Sequence, residues 1–297
     1  MLADYLADQG KQKISNLGLS VSDMTVKRPL VATGSEQLFR ASATADWANR
    51  CVRIKIYSTD KAIKAVVHHA ECVVRLENTG TWQQDWKRVA RLIKSRVDAL
   101  HGCSDSDGVN QVTRGVAYKL FSVLVDYGKS YQGMEKVAFD SSQHEGSAMV
   151  KFQSELAKDF FFSPYCIDSL GHLAGFIMNA TEAVDSKAQV FINHGWEAMQ
   201  VSKKLDSQAT YHTYVRIQDT GRQLYSGDVY ILEGSEVVAL YSGVKVSEYT
   251  ESRSKQHANV SLVPRRASSS AERYLTLEHP NISCGASHAY GIDIYYS

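Results

Sequence analysis

The 297-residue sequence predicts an α+β fold of two antiparallel sheets, each wrapped around a central helix, with the first unit incomplete. Three observations carry this. Apolar residues recur with period two from Leu19 to Glu77 and over much of 131–247, as half-buried strands require. The second run is interrupted by Ser163–Asn179, a helical pattern too apolar to lie on a surface. Two amphipathic helical patterns, Trp82–Leu100 and Val109–Val125, join the runs.

In chain order, Met1–Lys13 reads as the end of an amphipathic helix, with Leu2, Tyr5 and Leu6 on one face and Gly10 as a stop. Strands follow at Met24–Leu30, Gln37–Thr44, Cys51–Tyr57 and Ala70–Leu76, with Asp60-Lys61 as a turn. In the third, Arg53 and Lys55 alternate with Val52, Ile54 and Ile56, giving one solvated face. Trp82, Trp86, Val89, Ala90, Ile93, Val97 and Leu100 make a helical stripe, and Val112, Val116, Leu120 and Val123 make a second after the polar break Cys103–Gly108. Strands resume at Gly133–Asp140 and Ser147–Phe152. Pro164 suits a first helical turn and Ser163 its cap, with Ile167, Leu170, Leu173, Ala174 and Ile177 on the buried face. Four strands close the pattern at Gln189–Met199, Ala209–Gln218, Leu224–Glu233 and Glu236–Val246, the last two joined by Gly234-Ser235. The plan is a pair of hot-dog-like modules: 1–80 a partial first, 81–130 connecting helices, 131–247 a second, and 248–297 a linker-like or disordered tail rich in Ser, Arg and Lys.

Composition excludes several classes. Lysine plus arginine (33) balances aspartate plus glutamate (32), which argues against nucleic acid and membrane surfaces as partners. Cys51, Cys72, Cys103, Cys166 and Cys284 are odd in number and lack CxxC spacing, so reduced thiols in a cytoplasmic protein are expected rather than disulfides or a metal site. No signal-peptide pattern or membrane-length apolar run is present.

Asp168 and His172 stand four apart on the central helix and therefore share a side of it. A carboxylate on so apolar a helix needs a partner or a purpose, although such a pair is often simply structural. The surrounding residues resemble a known family. Leu38–Trp47, Cys72–Arg75, Tyr118–Phe121, Ser163–Phe176, Asn193–Glu197, Thr213–Arg216 and Gly227–Tyr230 are similar to the product template domain of fungal non-reducing polyketide synthases, a relative of the polyketide synthase dehydratase.

The resemblance implies a double hot-dog and a cyclase. Such a domain directs one aldol closure and aromatisation of a poly-β-ketone held on the phosphopantetheine arm of an acyl carrier protein, with no cofactor bound directly. The partners implied are that carrier, the other synthase domains and the polyketide, and a homodimer is compatible. Asp168 matches the family's aspartate, which orients a histidine base or serves as acid. Asp168-Ser169-Leu170-Gly171-His172 fits the dehydratases' Asp-x-x-x-Gln/His pattern and gives His172 a supporting role. Asn193, His194 and Trp196 are expected at the pocket, and Tyr165 and Tyr230 offer hydroxyls, while Glu197 reads as solvated. The family's His-x-x-x-Gly-x-x-x-x-Pro motif is absent from the sequence, and His68, His69 and His194 do not occupy its place. The chain is therefore expected to be an N-terminally shortened piece, inactive alone as a cyclase. The competing expectation is a non-catalytic remnant that binds an acyl chain or carrier. Ile167–Leu170 imitates a carrier's phosphopantetheine motif, but its buried-helix context excludes that reading, and Arg265-Arg266-Ala267-Ser268 is too common a string to mark a kinase target.

Overall fold

The computed structural model describes residues 17–28, 37–46, 48–60, 64–103, 108–122, 125–154, 162–181, 184, 189–221, 223–249 and 291–296. The helix expected at Met1–Lys13 and Cys284 lie outside them. The first half is β1 (Leu17–Val26), β2 (Leu38–Asp46), β3 (Cys51–Thr59) and β4 (Ala65–Asn78). Helix α1 (Thr79–Gly102), β5 (Asn110–Thr113), α2 (Arg114–Phe121) and a 3-10 turn (Lys129–Tyr131) lead to the second half. That half comprises β6 (Met134–Asp140), β7 (Glu145–Lys151), α3 (Pro164–Asn179), β8 (Val190–Val201), β9 (Thr210–Asp219), β10 (Leu224–Glu233) and β11 (Glu236–Tyr249), and β12 (Gly291–Tyr296) follows.

These strands form one antiparallel sheet in the order β12-β2-β3-β4-β1-β8-β11-β10-β9-β7-β6-β5. The two expected sheets are thus joined edge to edge. Strand β1 pairs with β8 from Leu19↔Val201 to Thr25↔Gly195, so the open edge of each half satisfies the other's backbone groups. Gly195 makes the close approach: its φ is +152°, and a Cβ there would lie 2.1 Å from the Met24 carbonyl oxygen.

The second half of the sheet carries a helix on each face, and strand alternation assigns the residues. Val137, Phe139, Val215, Ile231 and Val238 point inward to α3, together with its Leu170, Leu173, Phe176 and Ile177. Their chain neighbours Ala138, Tyr214, Leu232 and Val237 point outward to Trp82, Trp86, Ile93 and Val97 of α1. Each large side chain so buried contributes about 1.5–3 kcal/mol. Asn78 caps α1, its side chain accepting from Gly80 N at 2.8 Å.

Three expectations are corrected. The helix expected over Val109–Val125 is a short strand and then an eight-residue helix, because β-branched Val112 and Thr113 find a partner in β6 (Val112↔Val137). Strand β1 starts at Leu17 rather than Met24, since the buried Ser20 and Ser22 hid the alternation. Within the tail expected to be linker-like, Gly291–Tyr296 form an edge strand on β2, with Gly291↔Thr44 through Tyr296↔Phe39. Among the described residues no helix is long and apolar enough to cross a membrane, and no group of ligands suits a metal. Cys51, Cys72, Cys103 and Cys166 are free thiols.

Candidate active site

Helix α3 starts as its sequence dictates, with Pro164 in the first turn and Ser163 at the N-cap position (φ −61°, ψ 127°). The expected cap bond from the Ser163 hydroxyl is not made. The carbonyl of Ser163 instead accepts from Cys166 N and Ile167 N, both at 3.1 Å. The sheet encloses most of the helix and leaves one stripe open. Pro164 and Asp168 on that stripe are exposed, while further along the helix Gly171 faces Tyr241 of β11 and Gly175 faces Phe121 of α2. The Asp168 side chain is 47% exposed and that of His172 only 2%. The carboxylate expected on a nearly buried helix therefore stands at the surface, and its histidine is the buried member.

Two further side chains and two backbone groups tie this pair to the fold. His172 Nε2 lies 2.8 Å from Asp168 Oδ2, and His172 Nδ1 lies 3.0 Å from the Tyr118 hydroxyl of α2. Tyr118 also accepts from Met134 N at 3.1 Å and lies 3.2 Å from the carbonyl of Tyr131. Ser169 Oγ donates to that same carbonyl at 2.9 Å, fastening α3 to the 3-10 turn. Oδ1 of Asp168 has no partner among the described residues.

Aromatic rings surround the imidazole. The Tyr127 ring is 4.1 Å from that of His172 between centroids, with Tyr118 at 5.8 Å and Phe121 at 5.9 Å. Tyr165 packs edge-on against Tyr131 at 4.7 Å. From the sheet side, the Tyr241 hydroxyl donates to the Ile167 carbonyl at 2.8 Å, and Trp196 stacks on Tyr241 at 6.3 Å. Burial, reinforced by the facing Asp168 charge, pushes the phenols of Tyr118, Tyr127 and Tyr241 well above the usual tyrosine range. They remain protonated donors at any physiological pH.

The residues singled out in the sequence separate into two groups. Asp168, His172 and Tyr165 come together on α3, and Trp196 joins through Tyr241 while its Nε1 donates to Val21 O at 3.0 Å. The others stand apart. Asn193 is exposed and its Oδ1 accepts from Gly195 N at 2.9 Å, which spends it on the local bend of β8. His194 is half-buried, and burial beside Lys245 holds it below the usual imidazole range. Tyr230 packs on the α1 side of the sheet, opposite the site, because it is one step out of phase with the inward Val229 and Ile231. Glu197 is exposed, as expected. Sequence reasoning missed Tyr118, Tyr127 and Tyr241. Tyr118 entered only within the family's Tyr118–Phe121 motif; the helix buries Ala117, Tyr118 and Phe121 and leaves Val116 and Leu120 of the expected stripe exposed.

Residues 103–256 match the family described as polyketide synthase dehydratase N-terminal domain. The chain belongs to that family. It is 44% identical over 270 residues to the non-reducing polyketide synthase albA of Aspergillus niger, covering 91% of this chain and 12% of that protein. It is 43% identical over 244 residues to the conidial pigment polyketide synthase alb1 of Aspergillus fumigatus, covering 82% of this chain and 11% of that one. The chain thus spans about an eighth of the length of these relatives. In structure it is similar to the dehydratase domain from the CurK module of curacin polyketide synthase, with TM-score 0.59, 20% identity, and 84% of each chain covered. The dehydratase domain of RzxB from Pseudomonas fluorescens gives TM-score 0.59 and 16% identity, covering 83% of this chain and 82% of that one. Both identify the fold as the double hot-dog of polyketide synthase dehydratases, the class expected from strand order. Two further CurK dehydratase structures are described as inactive mutants, one histidine to phenylalanine and one aspartate to asparagine.

Proposed function

We propose that this chain is a product-template-like domain of a non-reducing polyketide synthase, directing regiospecific aldol cyclisation and aromatisation of a carrier-bound poly-β-ketone. The observation that carries the reading is Asp168: a carboxylate on the open stripe of the central helix, one oxygen held by a buried histidine and the other facing outward. A methylene between two carbonyls is acidic enough for an imidazole to deprotonate. The enolate carbon then bonds to a second carbonyl carbon, the alkoxide formed takes a proton, and loss of water aromatises the ring. Selecting one carbon among many alike is the hard task, and it requires a pocket beside Asp168 that holds the chain in one register.

In this reading the outward oxygen of Asp168 receives the N–H of a base histidine and sets its tautomer. The substrate arrives on a phosphopantetheine arm, no cofactor is held directly, and the domain works in the cytoplasm beside the carrier and the other synthase domains. The relatives' length and the pigment role in one relative's name support that setting. The histidine motif of the family does not occur in the 297 residues, so the chain alone binds the polyketide without closing it. The test compares the chain alone with the chain extended by the histidine-bearing segment of a relative, each with Asp168 or D168N, on a carrier-bound polyketide mimic. Only the extended chain with Asp168 is expected to cyclise, while all four bind. Cyclisation by the extended D168N chain would refute the role of Asp168, and no gain on extension would leave a binding module.

A further inference from the structure

We infer that the cleft between α1 and the β10–β11 hairpin is a binding site for a small amphiphilic anion, an apolar body carrying one acidic group. The inference goes beyond the reading above and does not depend on it, because the cleft lies on the α1 face of the sheet and Asp168 on the other. Its volume is about 630 Å³, which falls within the range of small-molecule sites. A protein partner needs a face of roughly 800 Å², and a cleft of this size does not offer one by itself. The helix builds one wall through its own period. Gln83, Lys87, Ala90, Arg91, Lys94 and Asp98 recur at steps of three and four, beside the stripe that α1 spends on the sheet. The segment after β8 and the start of β11 build the other wall, with Lys203, Ser235, Glu236 and Val237.

Charge and polarity decide what fits. Trp86, Ala90 and Val237 supply an apolar floor, and charged side chains stand on the rim. Four cations, Lys87, Arg91, Lys94 and Lys203, line the cleft against two carboxylates, Asp98 and Glu236. Two of the cations are already spent. Lys94 lies 2.5 Å from Asp98, and Lys203 pairs with Glu233 of β10. Lys87 and Arg91 are exposed, stand one helical turn apart, and have no ion-pair partner among the described residues. A chain that is nearly neutral as a whole, with 33 cations to 32 carboxylates, thus sets two unpaired cations along an apolar cleft. A ligand whose apolar body covers Trp86 and Val237 displaces water from that floor, and there the two cations attract its acidic group more strongly than they do in open water. Glu236 opposes the same group from the far wall, so removing its charge should have the contrary effect to removing theirs.

The experiment uses the whole chain and two probes: anilinonaphthalene sulfonate, an aromatic body with one sulfonate, and phenylnaphthylamine, the same body without it. Fluorescence gives the affinity, and amide NMR shifts give the place. The sulfonate is expected to shift the amides of 83–98 and 235–238 and to bind more weakly as salt rises. K87Q/R91Q is expected to raise its Kd about tenfold and E236Q to lower it about threefold, with phenylnaphthylamine unchanged in both. All three substituted side chains are exposed, so the variants keep the fold, which an unchanged urea midpoint checks. An unaltered sulfonate Kd in K87Q/R91Q, an equal loss of both probes, or shifts confined to other surfaces overturns the site.

Discussion

Two carboxylates, Glu145 and Asp168, lie on opposite faces of the sheet and are built in opposite ways. On the outer face Glu145 of β7 is 3% exposed, and its oxygens are taken by Arg96 of α1 at 2.9 and 2.6 Å and by the Tyr214 hydroxyl at 2.6 Å. Burial alone would raise this carboxyl, but the Arg96 and Tyr214 bonds outweigh it and hold it below the ordinary range. On the inner face Asp168 is half-exposed and gives up one oxygen only. A carboxylate whose acceptor sites are all filled can only fasten a helix to a sheet. One that is fixed on one side and open on the other is prepared to meet something else. The neighbours repeat the contrast: Glu145 is held from a rigid 24-residue helix by a charged fork, and Asp168 by a relay of neutral donors ending in backbone.

The largest expected effect breaks this comparison on the inner side. D168N in the extended chain should lower cyclisation at least about a hundredfold, the scale of a lost acid–base partner. The carboxamide oxygen of this variant still accepts from His172, so urea denaturation should move by about 0.5 kcal/mol or less. R96A should do the reverse. It leaves the buried Glu145 charge with only the Tyr214 hydroxyl and no cation in contact, and should cost roughly 3 kcal/mol in urea denaturation, with binding of the polyketide mimic by the folded fraction unchanged. If R96A weakens binding while D168N destabilises the fold, the assignment of roles to the two faces is wrong.

The same contrast explains what the sequence disclosed. Asp168 and His172 were legible because a helix puts residues four apart side by side. Burial was read for the helix as a whole, and the exposure of Asp168 beside a buried His172 was not. Gly171 lies against Tyr241 of β11 and Gly175 against Phe121 of α2, so the exposed positions of the helix are Pro164 and Asp168, which no spacing in the sequence marks. Tyr118 was legible as part of a family motif but not as the partner of His172, because the two are 54 residues apart and their meeting depends on where β5 ends and α2 begins. That boundary is set by pairing with β6, a tertiary event that overrode the helical period of Val112, Val116 and Leu120. Tyr230 failed for a simpler reason: one residue of strand phase decides the face, and the bulge between Gly227 and Val229 shifts it.

A smaller effect lies with the outer face and sharpens the comparison through pH. His101, at the end of α1, is pushed from 6.5 to about 4 by burial, with His212 and Lys136 adding to it, and its Nε2 lies 3.2 Å from the Ser147 hydroxyl. The folded form therefore holds this ring neutral while the unfolded chain protonates it. Between about 6.5 and 4 the unfolded state binds the extra proton, so stability contributed by His101 is full above that window and falls as pH drops through it. H101Q should flatten that part of a plot of urea midpoint against pH, and an unchanged slope would exclude His101 as its source.

The smallest effect returns to the inner face at the seam between the halves. Trp196 of β8 donates from Nε1 to Val21 O of β1 at 3.0 Å while its ring lies against Tyr241. W196F keeps most of the apolar contact and deletes the bond. Because the Val21 carbonyl sits where β1 and β8 are already paired through Val21↔Met199, the loss should stay near ~1 kcal/mol rather than open the seam. Hydrogen exchange locates it: faster exchange confined to the amides of β1 and β8 fits a local bond, whereas loss of protection throughout β1–β4 would show that Trp196 holds the first half of the sheet to the second.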